Sequence, residues 1–433
     1  MPKRFLSPGL RDYAITAALL PVASALAALL AVRTPLGVDY AGAAGTFCDC
    51  PATPIRALAH GHLHQFISTQ PVMGSGSLLV RAPFAALGLH LSNGTTLDLY
   101  RFGAFPCLLA AGLLAVYMLG RLLELRRSWL TLALVPTLIA VNPLTGRALH
   151  YGHPEEILAA ALAIGAILAA TRNKPILAGV LVGAAFATKQ WALLAVLPVI
   201  IAAGEQRTRT ALVAAGTAVL LIVPMALGDP HRFVHANHGA GVVGGSAMPT
   251  NIWFPFGKDV VVYIASSGWA TPPRSLPTHL AAITHPLILV VGFALALVWW
   301  RYRSDDSPED ALLLFALILL IRCLLDPMTN SYYHLPFLMA LAAWEGLRRR
   351  GAPLLTVGAT LLIGLTLAVA NSGVGLIQLN RFYLTWAIPL TILLGVFAFR
   401  PDIAGVSSED VPDRRFSDGP TDSHGPKRAL HAG

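Results

Sequence analysis

The chain has 433 residues, of which 55% are hydrophobic and only 12% carry a charged side chain, about half of the ~25% that is usual in soluble domains. The formal net charge is +9, yet the basic residues form short clusters between apolar runs, without the basic groove and interleaved aromatic side chains of nucleic-acid binders. This composition excludes an ordinary soluble domain and a nucleic-acid partner, and it indicates a chain that lies mostly in hydrocarbon.

The first transmembrane helix is predicted at residues 13–32, after a short basic segment, residues 1–12, on the cytosolic side. This run is too long for a signal-peptide core, and Arg33-Thr34-Pro35 is not a small-residue cleavage site, so we expect the helix to be retained. Eleven further apolar runs predict transmembrane helices, several of them shorter than the ~20 residues that a perpendicular helix needs. These runs are 98–120, 129–141, 156–170, 175–187, 191–203, 211–227, 284–300, 311–325, 333–347, 353–370 and 382–399. The pattern predicts an all-α polytopic membrane protein with about twelve transmembrane helices over residues 13–400.

The connecting loops sort by charge. The basic clusters all fall on one face when the spans are counted; they lie at 3–11, 121–127, 172–174, 205–209, 301–306 and 348–350. The positive-inside rule places this face and both termini in the cytoplasm, and the polar residues 401–433 are predicted to form a disordered cytosolic tail. The opposite face receives the loops 33–97, 142–155, 228–283, 326–332 and 371–381. Because these loops hold most of the histidines, tryptophans and isolated charges, we expect the protein to act on the outer face of the plasma membrane.

Asp39 opens the first outer loop, only a few residues beyond the first span. A carboxylate at this place could serve as a general base that activates a hydroxyl at the membrane surface, and a solvated loop carboxylate is the alternative interpretation. Residues 54–66 are predicted to form an amphipathic helix that lies on the membrane. On one helix His60 and His64 would share a face. Two histidines without a third ligand are weak evidence for zinc, so we expect no metal and favour contact with a headgroup or a sugar.

The second outer loop ends in His153-Pro154-Glu155-Glu156. Pro154 is suited to the start of a helix, and acidic residues in the first turn complement the helix dipole. An acidic pair that enters hydrocarbon is costly, however, and such pairs tend to be functional. Lys189-Gln190 lies at the outer tip of the hairpin that follows. Lys189 could either snorkel to the surface or hold a headgroup phosphate as a point charge.

Two smaller outer sites contain aromatic or polar residues. Trp253 belongs to an aromatic cluster at residues 251–258, which suits a sugar face but also the interfacial aromatic belt. Asp326 and His334 flank a polar turn near the membrane surface. The sequence has no G-x-x-x-x-G-K-[ST], H-E-x-x-H or G-x-S-x-G motif, and we expect no cofactor.

The rival class is a multi-pass transporter or lipid flippase, which would carry midplane charges and an inverted repeat. Arg322 is the main midplane candidate, and the sequence has no clear repeat of that kind. A non-catalytic scaffold is a third interpretation.

Two short motifs resemble a known family. The run Gly-His-Pro-Glu-Glu-Ile-Leu at 152–158, followed about thirty residues later by Ala-Thr-Lys-Gln-Trp at 187–191, resembles membrane glycosyltransferases of the GT-C superfamily. Within that superfamily the sequence is most similar to the actinobacterial family 87 group of polyprenyl-phosphate-dependent mannosyltransferases. Asp39, the segment 81–84 and the turn 332–334 are similar to that group as well.

This resemblance implies a sugar transfer from a polyprenyl-phosphate donor to a lipid or glycan acceptor of the cell envelope, with an acidic residue of the first outer loop as the base. Asp39 occupies the matching place and Asp49 is the fallback. Remote members include arabinosyltransferases, so the donor sugar does not carry over. A lipid-linked donor also needs a cation for its phosphate, for which Lys189, Arg56 and Arg81 are the candidates. The expected substrate contacts are His60, His64, His153, Glu155, Glu156, Gln190, Trp253, Asp326 and His334.

Overall fold

The structure is a computed structural model that describes residues 19, 22–28, 52–69, 74–92, 95–235, 245–259, 274–303, 307–400 and 402–404. Asp39 and Asp49 lie outside the described residues, as does most of the predicted first span, of which residues 22–28 are helical. The tail beyond residue 404, predicted to be disordered, lies outside them too.

Fifteen helices follow in the described part of the chain from residue 52 onwards. They are α1 (Ala52–Ala59), α2 (Leu63–Thr69), α3 (Ser75–Leu91), α4 (Thr96–Glu124), α5 (Trp129–Ala140), α6 (Pro143–His150), α7 (Pro154–Thr171), α8 (Pro175–Thr188), α9 (Val196–Ala202), α10 (Arg207–Gly228), α11 (Thr278–Arg303), α12 (Ala311–Leu325), α13 (Leu335–Arg348), α14 (Leu354–Asn371) and α15 (Leu376–Phe399). Short 3₁₀ turns precede α9, α10, α12 and α13.

The helices divide into a buried centre and an apolar periphery. Helices α7, α12 and α13 are buried along almost their whole length. By contrast, α10, α11, α14 and α15 expose apolar side chains such as Leu220, Val290, Leu361 and Ile392. A helix that is apolar on all sides and exposed on one of them is suited to contact with lipid.

Glycines let two of the helices approach closely. A Cβ atom on Gly179 of α8 would lie 2.7 Å from the carbonyl oxygen of Thr210, and one on Gly183 would lie 2.5 Å from that of Ala214, both on α10. The G-x-x-x-G spacing therefore provides the backbone contact that small residues allow between membrane helices.

The basic turns meet at one end of the bundle. Arg127 and Arg172 follow α4 and α7, and Arg348 ends α13. The contacts that join these turns to neighbouring helix ends are Arg127 Nε to Gly346 O at 3.0 Å, Arg172 Nη2 to Glu124 Oε2 at 3.6 Å, Arg348 Nε to Asp310 Oδ1 at 3.0 Å and Arg207 over the Trp300 ring at 5.0 Å. The charge clusters that the sequence assigns to one face are thus neighbours in space, except for residues 3–11, which lie outside the described residues.

Seven helical segments in the described part of the chain are long and apolar enough to cross a membrane, and two further apolar helices are shorter. The prediction of an all-α polytopic membrane protein is confirmed. Each of the eleven apolar runs after the first coincides with a helix or with a 3₁₀ turn and the helix it leads into. The total of about twelve spans stays a prediction.

Two parts of the first outer loop differ from expectation. The stretch 54–66 forms two short helices, α1 and α2, rather than one, because the chain bends at Gly61, where φ is +76°. Such a backbone angle favours glycine. In addition, α3 is a 17-residue helix that packs on α4. Its Ser, Gly, Arg and Pro residues interrupt the hydrophobic pattern from which the spans were predicted.

The loop 228–283, predicted to lie on the outer face, contains a small antiparallel sheet in the order β1 (Ser246–Ala247), β3 (Arg274–Ser275), β2 (Lys258–Asp259). Asn251 fixes the loop, because its Nδ2 donates to the carbonyl oxygens of Met248 and Pro327, each at 2.7 Å. The loop is therefore anchored to the turn that follows α12.

Candidate active site

Four helix ends meet at the end of the bundle opposite the basic turns. They are the N-termini of α7 and α13 and the C-termini of α8 and α12. Along α7, the distance from this end to the basic turn is roughly 25 Å at 1.5 Å per residue. The polar cluster formed here consists of Arg81, His153, Glu155, Glu156, Lys189, Trp191, Arg322 and Asp326.

Glu155 is the centre of the polar cluster and is fully buried. Its Oε1 lies 3.1 Å from Lys189 Nζ and 2.8 Å from His153 Nδ1, while its Oε2 lies 3.7 Å from Arg81 Nη1. Arg81 also donates from Nε to the carbonyl oxygen of Gly103 at 3.2 Å. A buried carboxylate needs opposite charges and hydrogen bonds to offset its loss of hydration, and three elements, α3, α7 and α8, supply them here.

Glu156 is equally buried and is bound from a different side. Its Oε2 accepts a hydrogen bond from Trp191 Nε1 at 2.7 Å, and its Oε1 lies 3.7 Å from Lys189 Nζ. The guanidinium of Arg322 lies over the Trp191 ring at 5.3 Å, and its Nε is 4.0 Å from Asp326 Oδ2. The acidic pair therefore does more than complement a helix dipole, because both side chains have specific partners from other helices.

The charges of the polar cluster balance among the described residues. Three carboxylates, of Glu155, Glu156 and Asp326, face three basic groups, of Arg81, Lys189 and Arg322. Of the cations predicted to bind phosphate, Arg81 has no exposed side-chain surface, whereas the Lys189 side chain is 17% exposed. Lys189 is thus the one of the two that a ligand can reach.

A cavity of about 300 Å³, here called the Arg147 cavity, lies beside the polar cluster. Its lining includes Arg147, His150, Tyr151, Asn330, Ser331 and His334 on the polar side, and Ile363, Leu367, Leu379, Tyr383 and Trp386 on the apolar side. The Tyr332 ring contacts a residue of each site, since it stacks on His153 at 5.0 Å and lies 5.8 Å from the Tyr151 ring. One aromatic side chain therefore connects the cluster with the cavity wall.

Most of the predicted site residues of the later outer loops fall in or beside these two sites. His153, Glu155, Glu156, Lys189 and Asp326 belong to the polar cluster, together with Arg81 from the first loop. Gln190 is exposed next to Lys189. His334 lines the Arg147 cavity, where its Nε2 lies 2.9 Å from the Tyr383 hydroxyl.

Trp253 lies apart from the cavity lining. It is 8% exposed, donates from Nε1 to the Leu325 carbonyl oxygen at 2.5 Å, and packs with Phe254 and Leu276. Its contacts are those of a residue that stabilises the large outer loop, which accounts for an aromatic side chain at this position.

The candidates of the first outer loop form a separate group. Arg56 and His60 line a shallow cavity of about 440 Å³ with His62 and Gln65. His60 and His62 stack with ring centroids 5.9 Å apart, so the break at Gly61 pairs different histidines from those that one continuous helix would align. Among the described residues, no group of three side chains is placed to hold a metal ion.

Several residues of the site were not singled out in the sequence. Arg147 and Tyr151 are four residues apart on one helix face, and the guanidinium lies 5.3 Å from the ring centroid. That spacing was a usable signal. Trp191 and Tyr332 lie in the segments 187–191 and 332–334 that resemble the family, but the sequence did not indicate their roles in the site. Tyr383 gave no signal, because an aromatic side chain in an apolar run is indistinguishable from a packing residue.

Comparison with known proteins agrees with the motifs. The model of glycosyltransferase family 87 matches residues 74–327, which include α3, every residue of the polar cluster and Arg147. No curated protein matches the sequence. The family match covers more than half of the 433 residues. The chain therefore belongs to glycosyltransferase family 87.

Proposed function

We propose that this glycosyltransferase transfers a sugar from a polyprenyl-phosphate donor to a lipid or glycan acceptor of the cell envelope, on the outer face of the membrane. The observation that carries the proposal is the contact of Glu155 with Lys189 and Arg81 at the bundle end opposite the basic turns. Ionisable groups within membrane-spanning segments are costly and mark functional sites. The positive-inside rule assigns the basic end to the cytoplasm and hence this site to the outside.

A lipid-linked donor suits the surroundings of the polar cluster. The bundle periphery is apolar, so a polyprenyl chain could lie against it while its phosphate and sugar reach the helix ends. A sugar activated by a lipid phosphate needs no nucleotide-binding loop, and the sequence has no such motif. Acceptor and donor could both approach from the membrane plane.

Lys189 is the proposed contact for the donor phosphate. Glu155 and Glu156 fix the position of its ammonium group, and its side chain is 17% exposed, so a ligand can reach it. Arg81 is fully buried and would act through Glu155 rather than touch the donor. Arg56 lies in the separate shallow cavity and would bind the donor only if the phosphate extended there.

Asp39 is the proposed general base. Its carboxylate would take the proton of the acceptor hydroxyl, whose oxygen forms a bond to the anomeric carbon of the sugar. The bond from that carbon to the phosphate oxygen breaks at the same time, and its electron pair leaves with the polyprenyl phosphate. Lys189 would stabilise the charge that develops on this leaving group. Gln190, exposed beside Lys189, is the proposed sugar contact nearest to that phosphate.

The test is a transfer assay with the purified full chain in lipid nanodiscs. Wild type and Asp39→Asn would be given a membrane lipid extract as acceptor and either polyprenyl-phosphate sugars or nucleotide sugars as donors. We expect wild type to transfer sugar from polyprenyl-phosphate sugars and not from nucleotide sugars. We expect Asp39→Asn to lose this transfer. Transfer from a nucleotide sugar would refute the donor class, and full activity of Asp39→Asn would refute the base.

A further inference from the structure

The guanidinium of Arg147 differs from the other buried cations of the outer end. Within the part of the chain that the structure describes, its contacts are the Ser331 hydroxyl at 3.4 Å, the Tyr151 hydroxyl at 3.5 Å and the face of the Tyr151 ring. None of these partners carries a negative charge. Arg81, Lys189 and Arg322 each have a carboxylate neighbour, so Arg147 is the cation here whose charge the described residues do not offset.

The position of this charge matters, because Arg147 is partly buried and lines a cavity of about 300 Å³. An arginine in a partly dehydrated site attracts an anion more strongly than one on an open surface. Its planar set of donors also matches the oxygens of a phosphate group. His150, Asn330 and Ser331 on the same wall add further hydrogen-bonding groups.

Another wall of the cavity comes from α14 and α15 and is mostly apolar. Ile363 and Leu367 of α14 and Leu379 of α15 line it, and Trp386 Nε1 of α15 donates to Thr366 Oγ1 of α14 at 3.0 Å. These two helices belong to the bundle periphery, and most of their residues are not buried. A ligand with a charged head and a hydrocarbon chain would thus meet hydrogen-bonding groups on one wall and apolar side chains of peripheral helices on the other.

We propose that the Arg147 cavity binds the phosphate group of a lipid, with Arg147 as the charged contact and the apolar side chains of α14 and α15 as the contacts of its hydrocarbon chain. The lipid is either a polyprenyl phosphate or an anionic diacyl phospholipid; both have the same phosphate and chain chemistry. The cavity is distinct from the polar cluster at Lys189, and the Tyr332 ring contacts a residue of each. Lipid binding can be measured without the transfer reaction, so this inference is tested independently of the proposed base and donor.

Binding can be measured directly by native mass spectrometry titration of the full chain in detergent. The probes are a polyprenyl phosphate with its uncharged polyprenol, phosphatidylglycerol with its uncharged diacylglycerol, and inorganic phosphate. We expect wild type to prefer at least one charged lipid over its uncharged partner and over inorganic phosphate. Arg147→Gln should weaken binding of that lipid roughly 10- to 100-fold, because a hydrogen bond to a charged group is lost. Arg147→Lys should retain part of it.

Matched variants separate the cavity from general effects. Arg381→Gln removes an exposed arginine of α15 that is not part of the lining, and it should leave binding unchanged. Ala370→Trp fills the cavity and should weaken binding without any change of charge, whereas Ala368→Trp, on the exposed side of α14, should not. Circular dichroism and gel filtration would confirm that each variant folds.

The lipid whose affinity falls in Arg147→Gln and Ala370→Trp identifies the ligand of the cavity. If the affinity for polyprenyl phosphate falls, the cavity binds a donor-type lipid. If the affinity for phosphatidylglycerol falls, it binds an anionic diacyl lipid. The proposal is overturned if folded Arg147→Gln and Ala370→Trp bind both charged lipids as tightly as wild type. Equal affinity of wild type for charged and uncharged lipids would also overturn it, as would an affinity for inorganic phosphate as high as for the lipids.

Discussion

Lys189 Nζ lies 3.1 Å from Glu155 Oε1, across 34 residues of sequence. The two residues come from the C-terminal end of α8 and the first turn of α7, antiparallel neighbours joined by a short basic turn. One contact therefore joins the two motifs that carry the family resemblance, Gly-His-Pro-Glu-Glu and Ala-Thr-Lys-Gln-Trp.

Replacement of Asp39 tests the proposed base. Asp39→Asn keeps the shape of the side chain but cannot accept the proton, and a positioned base typically contributes ~10²–10⁴-fold to a rate. We expect this variant to insert and to bind donor as wild type does, while transfer falls by at least roughly 10²-fold. Asp39→Glu should retain some activity.

The control for that experiment is Asp49→Asn, which should affect transfer much less. If Asp39→Asn transferred sugar at the wild-type rate, the base would lie elsewhere, and Glu155→Gln and Glu156→Gln would be the next variants to assay.

Loss of Lys189 should have two separable effects. Lys189→Ala leaves Glu155 buried with one ion-pair partner fewer, and removal of one member of a buried pair typically costs about 3–5 kcal/mol. We expect a lower melting temperature and weaker donor binding. Lys189→Arg should retain part of the donor affinity, because the charge matters more than the donor geometry at this position.

The double variant Lys189→Met/Glu155→Gln distinguishes stability from function. It also removes the Glu155 carboxylate, which in Lys189→Ala keeps Arg81 but lacks the ammonium group, so the melting temperature should recover in part relative to Lys189→Ala, while donor binding stays weak. Recovery of donor binding together with stability would show that Lys189 supports only the fold.

Trp191 should be important for its indole N–H as well as for packing. Trp191→Phe keeps an aromatic ring beneath Arg322 but removes the donor to Glu156 Oε2. An unsatisfied buried acceptor costs about 1–3 kcal/mol, and more when it is charged. We expect a lower melting temperature and reduced transfer.

Trp253→Phe is the matched comparison for Trp191→Phe. It also removes an indole hydrogen bond, here to the Leu325 carbonyl oxygen, but from a residue outside the polar cluster. It should lower stability with a smaller effect on transfer by the folded fraction. Equal loss of specific activity in both variants would argue against a special role of Glu156.

Labelling with a membrane-impermeant thiol reagent tests the orientation. In a background without cysteines, Phe256→Cys in the large outer loop should react in intact cells, because position 256 is 61% exposed. Arg350→Cys, in the basic turn after α13, should react only after the membrane is permeabilised. Labelling of position 350 in intact cells would invert the topology and place the polar cluster in the cytoplasm.

The helices were largely predictable because a membrane span has one strong requirement, a long apolar run, which α4, α7, α10, α11, α14 and α15 meet. Helix α3 was not found, since it packs against other helices and so tolerates Arg81 and several small polar residues. The bend at Gly61 was missed for a different reason: one backbone angle divides a stretch whose amphipathic pattern is otherwise continuous.

Most residues of the polar cluster were predictable from the sequence, but the contacts between their side chains were not. The sequence marked Glu155, Glu156 and Lys189 as unusual because charges at the ends of apolar runs are costly. It could not show that Arg81, from another outer loop, binds the same carboxylate, because that contact depends on how α3 packs against α4 and α8. The spacing of Arg147 and Tyr151 was a usable signal for that pair, but the cavity could not be predicted, because it is formed by segments far apart in the chain.

The contact between α3 and α8 imposes a steric requirement on Gly74, a residue that has no side chain. A Cβ atom on Gly74 would lie 1.9 Å from the carbonyl oxygen of Ala187, two residues before Lys189. Any side chain at position 74 would push apart the backbone that sets the height of the ammonium group. A survey of all substitutions should therefore find Gly74 among the intolerant positions. If activity alone were measured, Gly74 would be mistaken for a catalytic residue.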